Sequence, residues 1–335
     1  MASSIPVPIL LGATASGKTD VADRLFAAND SADPDKALLS PFRGKVEVIS
    51  ADSVQVYADL VIGAARPSKS LMQRLPHHLV GMCGVQREFS VADFVQCADF
   101  LCKDIYARGK LPVIVGGTAF YIKHFMYGLP NTPAADAKIR LLLQKKMQER
   151  GAAAMLSELR QFDPVSAAKI HVRDEYRILR AHEVYYASGK PLSSFTLSYE
   201  YRSGYRFCPI LINRPRVELY ARIEQRAQVM FKDGLTEEFR HLYEQGCRAH
   251  TPAMKAIGYR EFFTVCPEHP IEAPVDAVLE LIMWNTKRYA KRQQTFFHSL
   301  PCAYILDAGG AVNDKELISL LVSFYERDEL YSHLP

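Results

Sequence analysis

Eight residues near the N-terminus, Gly12-Ala13-Thr14-Ala15-Ser16-Gly17-Lys18-Thr19, have the types and spacing needed to capture a phosphate chain. They satisfy GxxxxGK[ST] at every fixed position. The glycines let backbone N–H groups turn inward around phosphate oxygens. A helix N-terminus behind them adds its dipole, Lys18 a positive charge, and the Thr19 hydroxyl a ligand for Mg²⁺. The competing reading is a chance match in a small-residue turn, but the flanking strand and helix put the motif where it must sit. A di- or triphosphate is the expected ligand.

Nucleotide hydrolases and kinases built on this loop usually carry a hydrophobic strand ending in Asp that helps to hold the metal. Here the apolar strand Leu111–Val115 ends in Gly116-Gly117-Thr118 instead. The strand-end acid is Asp52, after Val46–Ser50. The loop is therefore open to the diphosphate of something other than a nucleotide. Adjacent His77 and His78 lack a third ligand at useful spacing and read as packing or hydrogen-bonding residues rather than a metal site. His182-Glu183 opens an HExxH-like run, but Tyr186 stands at its last position.

These residues require a particular scaffold. Val7–Leu11, Val46–Ser50 and Leu111–Val115 are short apolar runs, and Phe89–Arg108 has helical periodicity opened by Ser90 and Asp93. Strands alternating with helices predict a mostly parallel sheet covered on both faces, an α/β, P-loop NTPase-like core. From about Ala134 to Ser194 only helical periodicity is found, before strand character returns at Phe207–Asn213 and Ala303–Asp307. The expected organisation is a core of residues 1–130 and 200–335, interrupted by an all-helical insertion at 131–199. The polar stretch Asn29–Gly44 reads as a surface excursion without a defined role.

The bulk composition fits an ordinary globular chain of 335 residues, with 48% hydrophobic and 23% charged residues. No run reaches the ~20 apolar residues of a bilayer span. Met1–Pro8 lacks a basic leader region, so a secretory signal is not expected. Seven cysteines without a CxxC pair suggest reduced thiols and a cytoplasmic protein. The net charge of +4 is too small to indicate a nucleic-acid partner by itself.

Several further segments carry a specific resemblance. They are Ser50-Ala51-Asp52-Ser53-Val54-Gln55-Val56-Tyr57 with Arg66-Pro67, Pro76-His77-His78-Leu79, and Phe89-Ser90 through Asp93-Phe94. Gly109 through Gly116-Gly117-Thr118 to Tyr121, Lys255-Ala256-Ile257-Gly258-Tyr259-Arg260 and Lys291-Arg292-Gln293 continue the series. Together, over roughly residues 5 to 300, the chain resembles the tRNA dimethylallyltransferase family. That resemblance implies transfer of a dimethylallyl group from its diphosphate to N6 of adenosine 37, beside the anticodon. N6 is a poor nucleophile and must lose a proton as it attacks. The resemblance gives Asp52 the role of accepting that proton or a hydrogen bond, and Thr118 and Lys18 contacts to the diphosphate. Arg222 resembles an additional diphosphate clamp, with Arg226 one turn away as the alternative. Plainer roles stand beside these: Asp52 as a helix cap or a ligand of the metal through water, Thr118 as a helix cap, and Arg222 as partner of Glu218 or Glu224.

A tRNA substrate needs cations for phosphates and flat side chains for splayed bases. Lys287 through Phe297 is basic with interleaved aromatics, and the insertion carries Arg140, Arg173, Arg177 and Arg180. By resemblance, Asp52, Ser53, Val54, Gln55, Lys255, Gly258, Tyr259 and Arg260 approach the flipped adenine. Arg140, Arg177, Arg180, Lys291, Arg292 and Gln293 supply further tRNA contacts. Phe296 stands where Trp is usual in the family, His298 where Arg is common, Tyr176 replaces a frequent Gln and Arg66 a frequent Lys. The chain ends without the zinc-finger extension of many eukaryotic members and so resembles a bacterial-type enzyme or a compact relative. Action on tRNA as a monomer is the simplest expectation. Two rivals share parts of the pattern. An adenylate isopentenyltransferase would prenylate free AMP, ADP or ATP, although such enzymes commonly carry Lys where Ser53 stands. A P-loop small-molecule kinase would need the missing strand-end carboxylate.

Overall fold

The computed structural model describes residues 4–28, 41–133, 136–195, 197, 199–302, 304–309 and 314–326. Most of the 29–44 excursion, residues 29–40, lies outside the described residues. The chain divides into two compact units, Met1–Met126 with Tyr201–Pro335, and Tyr127–Glu200.

The first unit is built on a six-stranded, all-parallel sheet. Its strands are β1 (Ile5–Leu11), β2 (Val46–Ala51), β3 (His77–His78), β4 (Leu111–Gly116), β5 (Tyr205–Asn213) and β6 (Tyr304–Asp307), in the order β3-β2-β4-β1-β5-β6. β2 and β4 are buried along their whole length, as continuous apolar strands covered on both faces must be. On one face, α1 (Lys18–Phe26) and α12 (Asp314–Tyr325) bury Leu25, Phe26, Leu317 and Leu321 against Leu10, Val48, Val113 and Ile210. α3 (Val91–Ala107) packs on β1, β2 and β4, and its Phe94, Ala98 and Ile105 are fully buried. It opens with the Ser90–Asp93 capping box that the sequence predicts, each side chain meeting the other's backbone N–H.

Two differences from the sequence reading have physical causes. β3 is a two-residue strand, too short for a periodic signal, and His78 is fixed there by Glu47 at 2.7 Å. β1 begins at Ile5 rather than Val7 despite Pro6 and Pro8. Both prolines lie where β1 pairs with β5 alone, since its ladder with β4 begins at Ile9.

The first unit also contains α8 (Arg216–Lys232), α9 (Leu235–Glu244), α10 (Arg260–Val265) and the long α11 (Val275–His298), with α8 packed along α11. The second unit is helical among its described residues. α5 (Ala137–Phe162), broken at Gly151 by φ 74°, packs on α7 (Glu175–Ser188) through Leu143, Met147, Leu156, Leu159 and Ile178. Among the described residues no helix is long and apolar enough to cross a membrane.

Candidate active site

Strand register brings the chemistry together. Leu11 pairs with Gly116, and Gly116 with Ala51, across three adjacent parallel strands. The next residue of each strand is Gly12, Gly117 and Asp52, so the phosphate loop, the diglycine and the carboxylate emerge side by side at the sheet's carboxyl edge. The close approach requires glycine. A Cβ on Gly116 would lie 2.2 Å from the Ala51 carbonyl oxygen, and one on Gly12 2.8 Å from that of Ile212.

The loop's carbonyls are drawn away by cations. Lys18 Nζ donates to Gly12 O (2.9 Å) and Ala13 O (2.8 Å), Arg222 Nε to Ala15 O (2.9 Å), and Arg214 Nε to Ser16 O (3.1 Å). Ala15 and Gly17 adopt positive φ, and the first N–H groups of α1 have no carbonyl ahead of them in the helix. Burial lowers the Lys18 ammonium to about 8; Asp52 opposes the shift and Arg226 adds to it. Arg226 donates to the Thr14 hydroxyl and is lowered by its own burial. Arg222 also reaches Asp20 at 3.2 Å. The partners expected for Arg222 are taken by others: Glu218 holds Arg214, and Glu224 holds Lys287.

Asp52 both caps and stays available. Its Oδ1 accepts from the N–H groups of Val54 (2.8 Å) and Gln55 (3.2 Å), while Oδ2 has no hydrogen-bond partner among the described residues. The Thr118 hydroxyl accepts from Ser53 N–H (3.0 Å), and its carbonyl starts α4 (Ala119–Tyr127). Phosphate loop, Asp52 and Gly117 line one cavity of about 830 Å³ with Ser53, Arg66, Arg222, Arg226, Lys255, Gly258, Arg260, Tyr289 and Arg292. Thr118 is not among the lining residues.

Other expected site residues take different positions. Gln293 is buried and bridges the site: Thr14 N–H donates to its Oε1 (2.9 Å) and its Nε2 donates to Gly117 O (2.6 Å). Gln55 donates to the carbonyls of Ala64 and Ala65, so it ties a loop. Tyr259 is fully buried with its hydroxyl on Glu238, which leaves it no surface for an RNA. Lys291 is exposed on α11 but does not line the cavity, whereas Arg292 does. In the second unit, Arg140 and Arg180 converge on the buried carboxylate of Glu183 at 2.6 and 3.3 Å, and Arg177 is exposed beside Asp174. Sequence reasoning passed over Tyr289 except as part of a basic stretch. Burial, then the Asp52 carboxylate, push its phenol up to about 12, against hydrogen bonds with Thr118 and Gln293. The signal was helical spacing: Ile282, Thr286, Tyr289 and Gln293 share one face of α11 and all line the cavity.

Comparison with known proteins shows the family to which the chain belongs. The IPP transferase family (IPPT) matches residues 55–300. The chain belongs to the IPP transferase family. A relative named tRNA dimethylallyltransferase from Geobacter sulfurreducens is 39% identical, over 89% of this chain and 91% of its own. Another, tRNA dimethylallyltransferase 2 from Geotalea daltonii, is 38% identical over 86% of this chain and 83% of its own. Among solved structures, the full-length tRNA isopentenylpyrophosphate transferase of Bacillus halodurans superposes with TM-score 0.65 at 29% identity, covering 98% of this chain and 99% of that one. A eukaryotic dimethylallyltransferase acting on tRNA shares the fold, with TM-score 0.75 at 22% identity, covering 97% of this chain and 80% of that one. The family match starts at Gln55 and so does not include the phosphate loop or Asp52.

Proposed function

We propose that this IPP transferase moves the dimethylallyl group from dimethylallyl diphosphate to N6 of adenosine 37 of tRNAs, giving N6-isopentenyladenosine and diphosphate. One observation carries the reading. The carboxylate at the sheet edge, Asp52, faces the same cavity as the phosphate loop, and no carboxylate ends β4 to serve a kinase's metal. In the reaction the bond between the allylic carbon and the diphosphate oxygen breaks, and a bond from that carbon to N6 forms. The electron pair leaves with the diphosphate. Asp52 Oδ2 takes the N6 proton, while Oδ1 stays on its two backbone donors and fixes the carboxylate's orientation.

Lys18, Arg226 and the N-terminal amides of α1 stabilise the charge that builds on the leaving diphosphate. The donor set suits Mg²⁺: the Thr19 hydroxyl opens on the cavity, and this ion is commonly held by few protein ligands plus substrate phosphates and water. Such an ion, held by Thr19 and diphosphate oxygens, would neutralise part of that charge. Tyr289, protonated at neutral pH, is a donor beside Asp52 and Thr118. Arg292, Lys255 and Arg260 meet the anticodon loop, and Arg177 of the helical unit meets a tRNA phosphate.

The test supplies purified protein with Mg²⁺ and labelled dimethylallyl diphosphate, and either an anticodon stem-loop with adjacent adenines or free AMP. Label in the stem-loop supports the reading. Label confined to AMP assigns the protein to free-nucleotide prenylation, and no label together with tight ATP binding assigns it to phosphoryl transfer.

A further inference from the structure

We infer that Glu238, on α9 and outside the cavity lining, is a positioning residue that locks the acceptor-side wall of the site. Naming that wall the acceptor side rests on the transferase reading; the lock itself rests on geometry. The Glu238 carboxylate gathers four donors from two separate segments. Oε2 accepts from Val61 N–H (3.0 Å) and Ile62 N–H (2.8 Å), and Oε1 from Gly63 N–H (3.1 Å) and the Tyr259 hydroxyl (2.6 Å). Three successive N–H groups pointing one way cannot be met by a neighbouring strand or helix, so the segment is shaped around this one anion.

Both segments held by the carboxylate continue into the cavity wall. Gly63 and Arg66 follow Val61 and Ile62, and Lys255 and Gly258 precede Tyr259. Tyr259 is buried against the loop so closely that a Cβ on Gly63 would stand 2.5 Å from its ring. Among the described residues the loop's other side-chain hydrogen bonds are local: Gln55 to Ala64 O and Ala65 O, and Arg66 to the carbonyls of Tyr57, Ala58 and Leu60. Glu238 ties the loop to a distant helix, 175 residues along the chain from Gly63. An adenine must present N6 to Asp52 within hydrogen-bond reach, and a wall displaced by about 1 Å can cost about a hundredfold in rate. Among the described residues no phosphate-loop group donates to Glu238, whose donors are Val61, Ile62, Gly63 and Tyr259, so the donor half of the site is independent of it.

The test compares Glu238→Gln and Tyr259→Phe with the unaltered protein. Three quantities are measured: amide hydrogen exchange, affinity for inorganic diphosphate, and kcat and KM for stem-loop and dimethylallyl diphosphate. Glu238→Gln is expected to speed exchange at residues 61–63 while β1 and β4 stay protected. Diphosphate affinity should hold within about twofold, while stem-loop kcat/KM falls about tenfold or more and the KM for dimethylallyl diphosphate holds. Tyr259→Phe keeps the three amide bonds, so exchange at 61–63 should remain slow and the loss of kcat/KM should be smaller. Unchanged exchange at 61–63, or loss of protection throughout the sheet, would overturn the inference. Should the unaltered protein leave the stem-loop unlabelled, the transferase reading falls, and the exchange result alone decides the lock.

Discussion

Lys18 lies among its own loop's carbonyls, and burial lowers its ammonium to about 8, from an ordinary value of 10.5. Below that value the group is charged and attracts an anion; above it the charge is lost. Affinity for inorganic diphosphate should therefore fall as pH rises from 7 to 9, and binding near pH 8 should take up protons. Calorimetry in buffers of different ionisation enthalpy measures both. Two arginines were open as clamp residues. Arg222 spends its hydrogen bonds on Ala15 O and Asp20, whereas Arg226 reaches the loop through Thr14 from a more enclosed position. Arg226→Ala should weaken diphosphate binding about tenfold or more, as loss of a charged hydrogen bond does. Arg222→Ala should stay within about fivefold, as for a solvent-screened pair; equal losses would contradict the distinction. The sequence motif identified the loop but could not rank these residues, because depth of burial is set by α11, some 60 residues further on.

At the scale of elements, the site exists because three parallel strands end in register, and β2 must stay seated at the sheet's side for Asp52 to hold its place. Glu47, in β2, accepts from both terminal nitrogens of Arg108, the residue that caps α3 (2.6 and 2.8 Å), and pairs with His78 of β3. The Arg108 hydrogen bond first, then His78, hold the Glu47 carboxyl at about 2 against its burial. Its folded value lies below the ordinary 4.5, so its stabilisation is complete above about pH 4.5 and is lost as pH falls toward 2. Glu47→Gln should thus lower the melting temperature at pH 7, with a gap that narrows below pH 4.5; a gap constant with pH would count against the assignment. The strands that seat the site were legible as apolar runs because burial on both faces demands continuous hydrophobic residues. β3 was not, because its two histidines are held by Leu75 O and by Glu47 rather than marked by a pattern. The lock at Glu238 was also hidden: three of its four partners are backbone N–H groups, which every residue type except proline supplies.

At the scale of the whole molecule, the helical unit leaves and re-enters the core at one place. Arg202 N–H donates to Met126 O at 3.0 Å, so a short linker can replace residues 127–200. A core so joined should keep its affinity for inorganic diphosphate and lose about tenfold or more in stem-loop affinity, with a shallower salt dependence. Equal stem-loop affinity would remove the helical unit from the tRNA reading. The insertion was legible as a change of period, whereas the pairing of Arg140 and Arg180 on Glu183 was not, since Arg140 lies 43 residues from Glu183 on another helix. The central claim is that Asp52 accepts the adenine's proton beside a phosphate loop that holds the leaving diphosphate. The measurement that tests it most directly is the single-turnover rate of label transfer from dimethylallyl diphosphate to an anticodon stem-loop in Asp52→Asn, with diphosphate affinity measured on the same sample. The account predicts a rate lower by about a hundredfold or more with diphosphate affinity unchanged. A rate equal to that of the unaltered protein would contradict it.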